Sequence, residues 1–166
     1  MLEQGQLVIY GIHGVCRICG IETKKVDRKK VDFYILSPLD QENACFYIPT
    51  HNEIAVSKLR PLLTRQELET LVHSPEANRD AWIVDENQRK MRYRELISSG
   101  DRAALISMVR SLLRHKQSQL SAGKKFHLCD ENFLRDAQKL LSAEFSLVLQ
   151  IPADEVAAYL QEQIEA

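Results

Sequence analysis

Hydrophobic residues in the first sixty positions alternate with polar ones over short stretches. Four such stretches read LVIYG, GVCRICGIE, VDFYILS and ACFYIP, and polar or charged connections separate them. Alternation with period two in segments rich in Val, Ile, Tyr and Phe is typical of strands with one buried face. Four or five strands with no helical stretch between them predict antiparallel connections and a small curled sheet or barrel.

After Ser57 the hydrophobic period changes to one that is typical of helices. Thr64 and Glu67 have the spacing of a capping box, which predicts a short helix that ends near His73. A second helix is predicted over about 81–97, with Ser98, Ser99 and Gly100 ending it. The chain is therefore predicted to be helical beyond its first third.

The third helix shows the clearest amphipathic pattern in the chain. Asp101 is its predicted N-cap, and its apolar stripe contains Leu105, Ile106, Val109, Leu112 and Leu113. Ser121 is a predicted N-cap for a long helix to Leu149, and Pro152 opens a short final helix. The predicted fold class is α+β, with a β-barrel over 1–60 followed by an all-α domain over 61–166.

Composition places the chain among globular proteins. Of its 166 residues, 45% are hydrophobic and 27% are charged, which argues against disorder or a coiled-coil rod. No apolar stretch approaches the roughly 18 residues of a membrane span, and the first residues lack the layout of a secretory signal. We therefore expect a soluble, cytoplasmic protein, and the lack of a heptad pattern predicts a monomer.

The net charge of -1 conceals a strong segregation of charge along the chain. Residues 88–125 contain ten Lys or Arg and two acidic residues, whereas 61–87 and 126–166 are acidic. A basic band can neutralise phosphates and so bind nucleic acid without reading sequence. The alternatives are a solvated helix surface or a basic face that docks on the acidic flanks of the same protein.

Cys16 and Cys19 form a C-x-x-C motif, the spacing of zinc knuckles and thiol redox pairs. The motif lies in a β-type stretch without a second ligand pair, so ordinary strand packing is the competing interpretation. The sequence contains no phosphate-binding loop, nucleophile elbow or H-E-x-x-H motif. We therefore predict neither an enzyme nor a cofactor or metal.

Trp82 is the only tryptophan and lies just before the basic band. If the second helix begins before it, Trp82 shares a face with Tyr93 and Leu96 and belongs to the core. If the helix begins near Asp85, Trp82 stands at the helix entrance and can project as an apolar wedge against unstacked bases. Both interpretations remain open at the level of sequence.

An ordered series of short motifs resembles the CarD family of bacterial transcription regulators. The opening resembles it in Tyr10 at the end of a strand, His13-Gly14-Val15 at a turn, and Ile21-Glu22 at the end of the next strand. The remaining matches, in chain order, are Tyr34-Ile35-Leu36, Ile48-Pro49, Leu59-Arg60-Pro61, Ser99-Gly100-Asp101 and Leu120-Ser121-Ala122-Gly123-Lys124-Lys125. The resemblance extends over about residues 5–150.

This resemblance implies a Tudor-like barrel that binds the β subunit of bacterial RNA polymerase. It also implies a helical domain that contacts promoter DNA at the upstream edge of the melted bubble and stabilises the open complex. The polymerase contacts carry over onto Lys24 and the strand Phe46-Tyr47-Ile48, which could pair edge to edge with a partner strand. The DNA-contacting set is Trp82, Arg89, Lys90, Arg92, Arg110, Arg114, Lys124 and Lys125.

Two function hypotheses follow from these observations. In the first, the barrel holds polymerase while the basic helices bind promoter DNA, largely independently of its sequence. In the second, the protein is an interaction adaptor whose basic helices meet an acidic protein surface and never touch DNA. A zinc or redox switch at Cys16 and Cys19 is a third and weaker hypothesis.

Overall fold

The computed structural model describes residues 2–165, except for the side chains of Ile12, Ile164 and Glu165. Contacts divide the chain into two compact units, Met1–Leu62 and Leu63–Ala166. The first unit is built on a β-sheet and the second on helices. The predicted α+β class with an amino-terminal antiparallel sheet is therefore confirmed.

As far as the structure describes it, the sheet unit contains five antiparallel strands. They are β1 Leu7–Tyr10, β2 Val15–Val26, β3 Lys29–Pro38, β4 Phe46–Pro49 and β5 Leu59–Pro61. Their order in the sheet is β4-β3-β2-β1-β5, and within the described residues no ladder joins β4 to β5. The sheet is therefore open, and the predicted barrel closure is wrong. With only four residues in β4 and three in β5, the outer strands are too short to close it.

A short helix, α1 (Glu53–Ser57), lies between β4 and β5. The prediction of an unbroken series of strands is wrong at this point. Asn52 explains the helix, because its side chain accepts a hydrogen bond from the backbone N–H of Ala55 and so caps the first turn. A 3₁₀ helix, Gly11–His13, also connects β1 to β2.

The period-two pattern of the strands decides which side chains form the core of the sheet unit. The buried cluster consists of Val8, Cys16, Ile18, Tyr34, Leu36, Ile48 and Leu59. The pairing register shifts between Ile18 and Gly20, which marks a β-bulge at Cys19. Beyond the bulge, the side chains of residues 21–30 are exposed, so the β2–β3 hairpin extends past the core.

Within residues 63–165, the helical unit contains five helices. They are α2 Arg65–Val72, α3 Glu86–Ser99, α4 Arg102–Ser121, α5 Leu128–Leu149 and α6 Ala153–Glu165. The capping box of Thr64 and Glu67 is present, and Asp101 caps α4 through the N–H of Ala104, so both predictions are confirmed. Gly100 ends α3 in the left-handed conformation, which glycine adopts without a Cβ penalty.

Two predicted helix starts are wrong. α3 begins at Glu86 rather than near residue 81, because Asp85 accepts a hydrogen bond from the N–H of Gln88 and forms the N-cap. Ser121 is the last residue of α4 and not the N-cap of α5. The chain then leaves the helical conformation at Gly123, which has a φ of +72°, and α5 begins only at Leu128.

The core of the helical unit is formed where α4 packs between its neighbours. Of the predicted apolar stripe, Leu105, Ile106, Val109 and Leu112 are buried, and Leu113 packs partly buried against them. The partners in this core are Tyr93 and Leu96 of α3, Leu141 and Phe145 of α5, and Val156 and Leu160 of α6. Among the described residues, no helix is long and apolar enough to span a bilayer.

Candidate functional site

β4 forms one edge of the sheet, and its backbone faces outward at alternate residues. The N–H of Thr50 donates to the carbonyl of Asp32 over 2.9 Å, which fixes the phase of the β3–β4 ladder. Hydrogen-bonded pairs recur every second residue in an antiparallel ladder, so Ile48 and Phe46 bond to β3. The N–H and C=O of Tyr47 therefore point away from β3, where a partner strand could reach them.

The side chains of β4 divide between the two faces of the sheet. Ile48 is buried, and Phe46 packs against the rings of His13 and Tyr10, with ring centroids 4.4 and 5.3 Å away. Tyr47 points to the other face and is 43% exposed. Of the three β4 residues predicted to bind polymerase, Tyr47 is thus the most accessible through its side chain.

Lys24 of β2 lies against the exposed face of β4. Its Nζ atom is 3.8 Å from the centroid of the Tyr47 ring, a cation–π contact that bridges β3. The ring of Phe33 meets that of Tyr47 edge-on, with centroids 6.3 Å apart. The structure therefore brings the predicted residues Lys24 and Tyr47 together in one surface, which we call the edge surface (Lys24, Phe33 and the β4 edge at Tyr47).

The two cysteines of the C-x-x-C motif lie in different environments. Cys16 faces the core, where burial and the carboxylate of Asp40 raise the pKa of its thiol to about 11. Cys19 occupies the bulge and is exposed. In the described part of the chain, no three metal-binding side chains come together. The Cys16 thiol therefore lies in the core and the Cys19 thiol on the surface, an arrangement consistent with ordinary strand packing.

Arg89, one of the predicted DNA contacts, is a buried residue. Its guanidinium forms a bidentate pair with Asp130 of α5, with Nε–Oδ1 and Nη2–Oδ2 distances of 2.9 and 3.0 Å. Its third nitrogen donates to the carbonyls of Ile83 and Val84. Only 5% of the Arg89 side chain is exposed, so this arginine holds the α3 entrance to α5 and leaves little surface for a phosphate.

Arg110 is also committed to contacts within the protein. Its guanidinium donates to the backbone and side-chain oxygens of Asn78, while its Nε atom is buried without a hydrogen-bond partner among the described residues. Burial and the charge of Arg114 lower the pKa of Arg110, whereas Asp80 raises it. The repulsion expected between two arginines one turn apart is therefore partly offset by a carboxylate of the protein itself.

The other predicted DNA contacts lie on the surface but differ in their pairing. Lys90 pairs with Glu86 and Arg92 with Glu95, at N–O distances of 3.2 and 3.3 Å. In contrast, four exposed cations of the basic band form no side-chain ion pair in the described part of the chain: Arg94, Arg114, Lys124 and Lys125. We call these four the exposed cations. Arg94 lies outside the predicted DNA-contacting set, although it belongs to the same basic band.

Trp82 lies in an irregular segment before α3 and is half-buried against the helical core. The ring of His115 stacks on the indole with centroids 3.7 Å apart, and the Arg89 guanidinium carbon is 4.4 Å from the centroid. The helix start near Asp85 thus matches the second interpretation, yet Trp82 also packs as a core residue would. Trp82 therefore combines the position expected of a wedge at the helix entrance with the packing expected of a core residue.

Sequence reasoning missed the buried acidic residues that bind Arg89 and Arg102. Asp130 binds Arg89, and Glu144 binds Arg102 in a bidentate pair while also accepting the N–H of Leu63. A signal for both was present, because Asp130 and Glu144 share the α5 face of Leu134, Ala137 and Leu141 at helical spacing. Charged residues on a buried stripe require a partner of opposite charge.

The sheet unit thus has an outward strand edge, and the helical unit has exposed cations. Residues 2–61 match the family model described as the CarD-like/TRCF RID domain, and residues 68–161 match the model of the CarD C-terminal domain. The chain therefore belongs to the CarD family. It is also 23% identical over 159 residues to the "Putative transcription factor YdeB" of Bacillus subtilis (strain 168), covering 96% of this chain and 99% of that protein. These matches support a role in transcription.

Proposed function

We propose that this protein binds the β subunit of bacterial RNA polymerase through the edge surface and upstream promoter DNA through its exposed cations. Contacts that are better made with melted DNA then stabilise the open complex, and about 1.4 kcal/mol of such preference shifts the open-to-closed ratio tenfold. The observation that carries the proposal is the free β4 edge, where Tyr47 offers an N–H and a C=O to a partner strand.

The chemistry of the edge surface supports strand addition. A partner strand that pairs with Tyr47 places its side chains beside Lys24, whose ammonium is held over the Tyr47 ring. Main-chain bonds supply affinity in such complexes, and the neighbouring side chains supply specificity. Lys24 thus favours a partner strand that carries a carboxylate or a carbonyl next to its edge.

The DNA-binding half of the proposal depends on fewer cations than the sequence indicated. Arg89 and Arg110 are engaged inside the protein, and Lys90 and Arg92 have acidic partners. Arg114, Lys124 and Lys125, together with Arg94, remain available to phosphates. Such contacts position DNA without reading its sequence and weaken as salt is raised.

The adaptor without direct DNA binding remains the second candidate function. The observation that favours it is the internal pairing just described, because a basic band that is half neutralised attracts DNA less strongly. In that case the exposed cations meet an acidic protein surface.

Polymerase binding is tested by removing one backbone donor. In the whole 166-residue chain, Tyr47→Pro deletes the outward N–H and leaves the inward ladder of β4 intact, which an edge strand tolerates. We expect Tyr47→Pro to bind the purified β subunit more weakly than Tyr47→Ala, which also lacks the phenol ring but keeps the donor. Equal binding by Tyr47→Pro and the unchanged protein would contradict strand addition.

DNA binding is tested by charge reversal with a matched control. Lys124→Glu with Lys125→Glu should weaken binding to fork-junction DNA and reduce its salt dependence by about one logarithmic slope unit per lost phosphate contact. Arg135→Glu with Lys139→Glu changes the net charge equally at exposed positions of α5 outside the basic band. Equal weakening by both pairs would mean that DNA does not prefer the basic band. If neither pair changes binding, or if no DNA binds at low salt, the adaptor is the better description.

A further inference from the structure

The surroundings of Trp82 cover both faces of its indole ring. His115 of α4 is nearly parallel to the indole, with an interplanar angle of 18° and a centroid distance of 3.7 Å. The guanidinium carbon of Arg89 lies 4.4 Å from the indole centroid. Two flat groups this close to one centroid would overlap if they shared a face, so they occupy opposite faces.

Each of the two covering groups is itself held in place. Arg89 donates to both carboxylate oxygens of Asp130 and to the carbonyls of Ile83 and Val84. These carbonyls belong to the two residues that follow Trp82, so the same guanidinium fixes the ring and its backbone.

His115 is supported on the opposite side of the ring. Its Nε2 atom is 3.2 Å from Nε2 of Gln119, one helical turn further along α4. The ring of Phe126 lies beyond it, with centroids 6.2 Å apart. The backbone N–H of Trp82 is bound as well, since it donates to Asp80 over 3.0 Å.

We propose that Arg89 and His115 are positioning residues that clamp the Trp82 indole, so that Trp82 meets DNA with its ring edge rather than with a ring face. Base stacking needs a free aromatic face, and the clamp leaves none. The exposed part of this half-buried side chain is therefore its edge, which acts as a rigid apolar wedge beside the last base pair. This inference rests on the proposed DNA binding and deepens it.

The contact with Trp82 also explains why Arg89 and Asp130 form a buried ion pair. Replacing a buried pair with apolar side chains is often neutral or stabilising, so stability alone does not explain why Arg89 and Asp130 are charged. A guanidinium can lie flat on an indole and still satisfy its donors at its edges, which neither lysine nor an aliphatic side chain can do.

The first arm of the test uses no DNA. Because Trp82 is the only tryptophan in the sequence, the tryptophan fluorescence of the protein comes from this residue alone. In the full-length protein, acrylamide should quench Trp82 fluorescence more strongly after His115→Ala, which uncovers one face. His115→Phe replaces the imidazole with another flat ring and should restore the low quenching of the unchanged protein. Equal quenching in all three proteins would overturn the clamp, and circular dichroism verifies that each variant is folded.

The second arm adds fork-junction DNA and single-stranded DNA. In the unchanged protein we expect binding, measured by the anisotropy of labelled DNA, with little quenching of Trp82. In His115→Ala, bases can stack on the uncovered face, so quenching rises while the preference for fork over single strand falls about 2- to 10-fold. His115→Phe should recover that preference with an unchanged salt dependence.

The outcomes separate this inference from the proposed function. Strong quenching of the unchanged protein by single-stranded DNA would mean that a ring face is accessible and would refute edge contact. If no DNA binds at low salt, the proposed DNA binding fails and edge contact fails with it, but the acrylamide arm still decides whether the clamp exists. Where His115→Ala does not fold, Arg89→Lys serves as the second variant that uncovers a face.

Discussion

The sheet unit and the helical unit offer a partner different kinds of chemical groups. The sheet unit exposes main-chain donors and acceptors at β4, with Lys24 and Tyr47 beside them. The helical unit exposes ammonium and guanidinium groups, and it uses other arginines of the same basic band to hold its own helices together. The difference teaches that a run of like charge in a sequence can contain both structural and accessible cations.

The sharpest test of this contrast is the removal of a buried cation. Arg89→Met leaves the carboxylate of Asp130 without a partner in a site where it is 1% exposed. We expect the free energy of unfolding of the helical unit to fall by about 3–5 kcal/mol. Urea denaturation followed by circular dichroism measures this change.

Arg92→Met is the control for this prediction. Arg92 pairs with Glu95 on the surface of α3, and both side chains are more than half exposed. Exposed pairs contribute about 0–1 kcal/mol. A loss of stability as large as that of Arg89→Met would mean that the distinction between structural and accessible cations is wrong.

The stability of the sheet unit should depend on its apolar core and not on buried ion pairs. Leu36→Ala removes a fully buried side chain from β3, which should cost about 2–5 kcal/mol. Faster hydrogen exchange of the β2 and β3 amides would report the loss. Leu39→Ala alters a side chain that is 44% exposed just past β3 and should leave exchange nearly unchanged.

A smaller effect is expected from pH through His115. Burial lowers the pKa of this imidazole, with Asp130 opposing the shift and Arg89 and His127 reinforcing it. As pH falls below the ordinary value of about 6.5, the unfolded chain binds this proton more readily than the folded one, so stability decreases. In His115→Phe this contribution is absent, and its stability should decline less between neutral pH and pH 5.

The smallest expected effect concerns the thiols of the sheet unit. At neutral pH, Cys16 should remain unmodified by iodoacetamide, because burial holds its thiol protonated with a pKa of about 11. Cys19 and Cys45 are exposed and should be alkylated first. Mass spectrometry of the digested protein measures both, and early modification of Cys16 would show that the core of the sheet opens readily.

Local sequence signals predicted the elements better than the connections between them. The capping box at Thr64, the cap at Asp101 and the stripe of α4 depend on residues a few positions apart, and all were confirmed. Asn52 carried an equally local signal for α1, but a five-residue helix is too short to show a period. Barrel closure requires β4 and β5 to pair although they are outer strands of only four and three residues, and no local pattern encodes such a pairing between strands.

The candidate site was less predictable because pairing acts over long distances in the chain. Arg89 and Asp130 are separated by 41 residues, and so the sequence alone could not show that this arginine is neutralised and covered. Its position on the face of Tyr93 and Leu96 was nevertheless an available hint. A charged residue on an apolar face indicates a buried partner before it indicates a ligand.

The short length of β4 limits self-association of the protein through this edge. A long, flat edge strand invites other copies of the same chain to add to it and start an aggregate. β4 ends at Pro49 after four residues, and Tyr47 is its one interior position whose amide and carbonyl both face outward. So short an edge offers a second copy too few main-chain hydrogen bonds for stable association. A specific partner must gain the rest of its affinity from contacts outside the β4 edge.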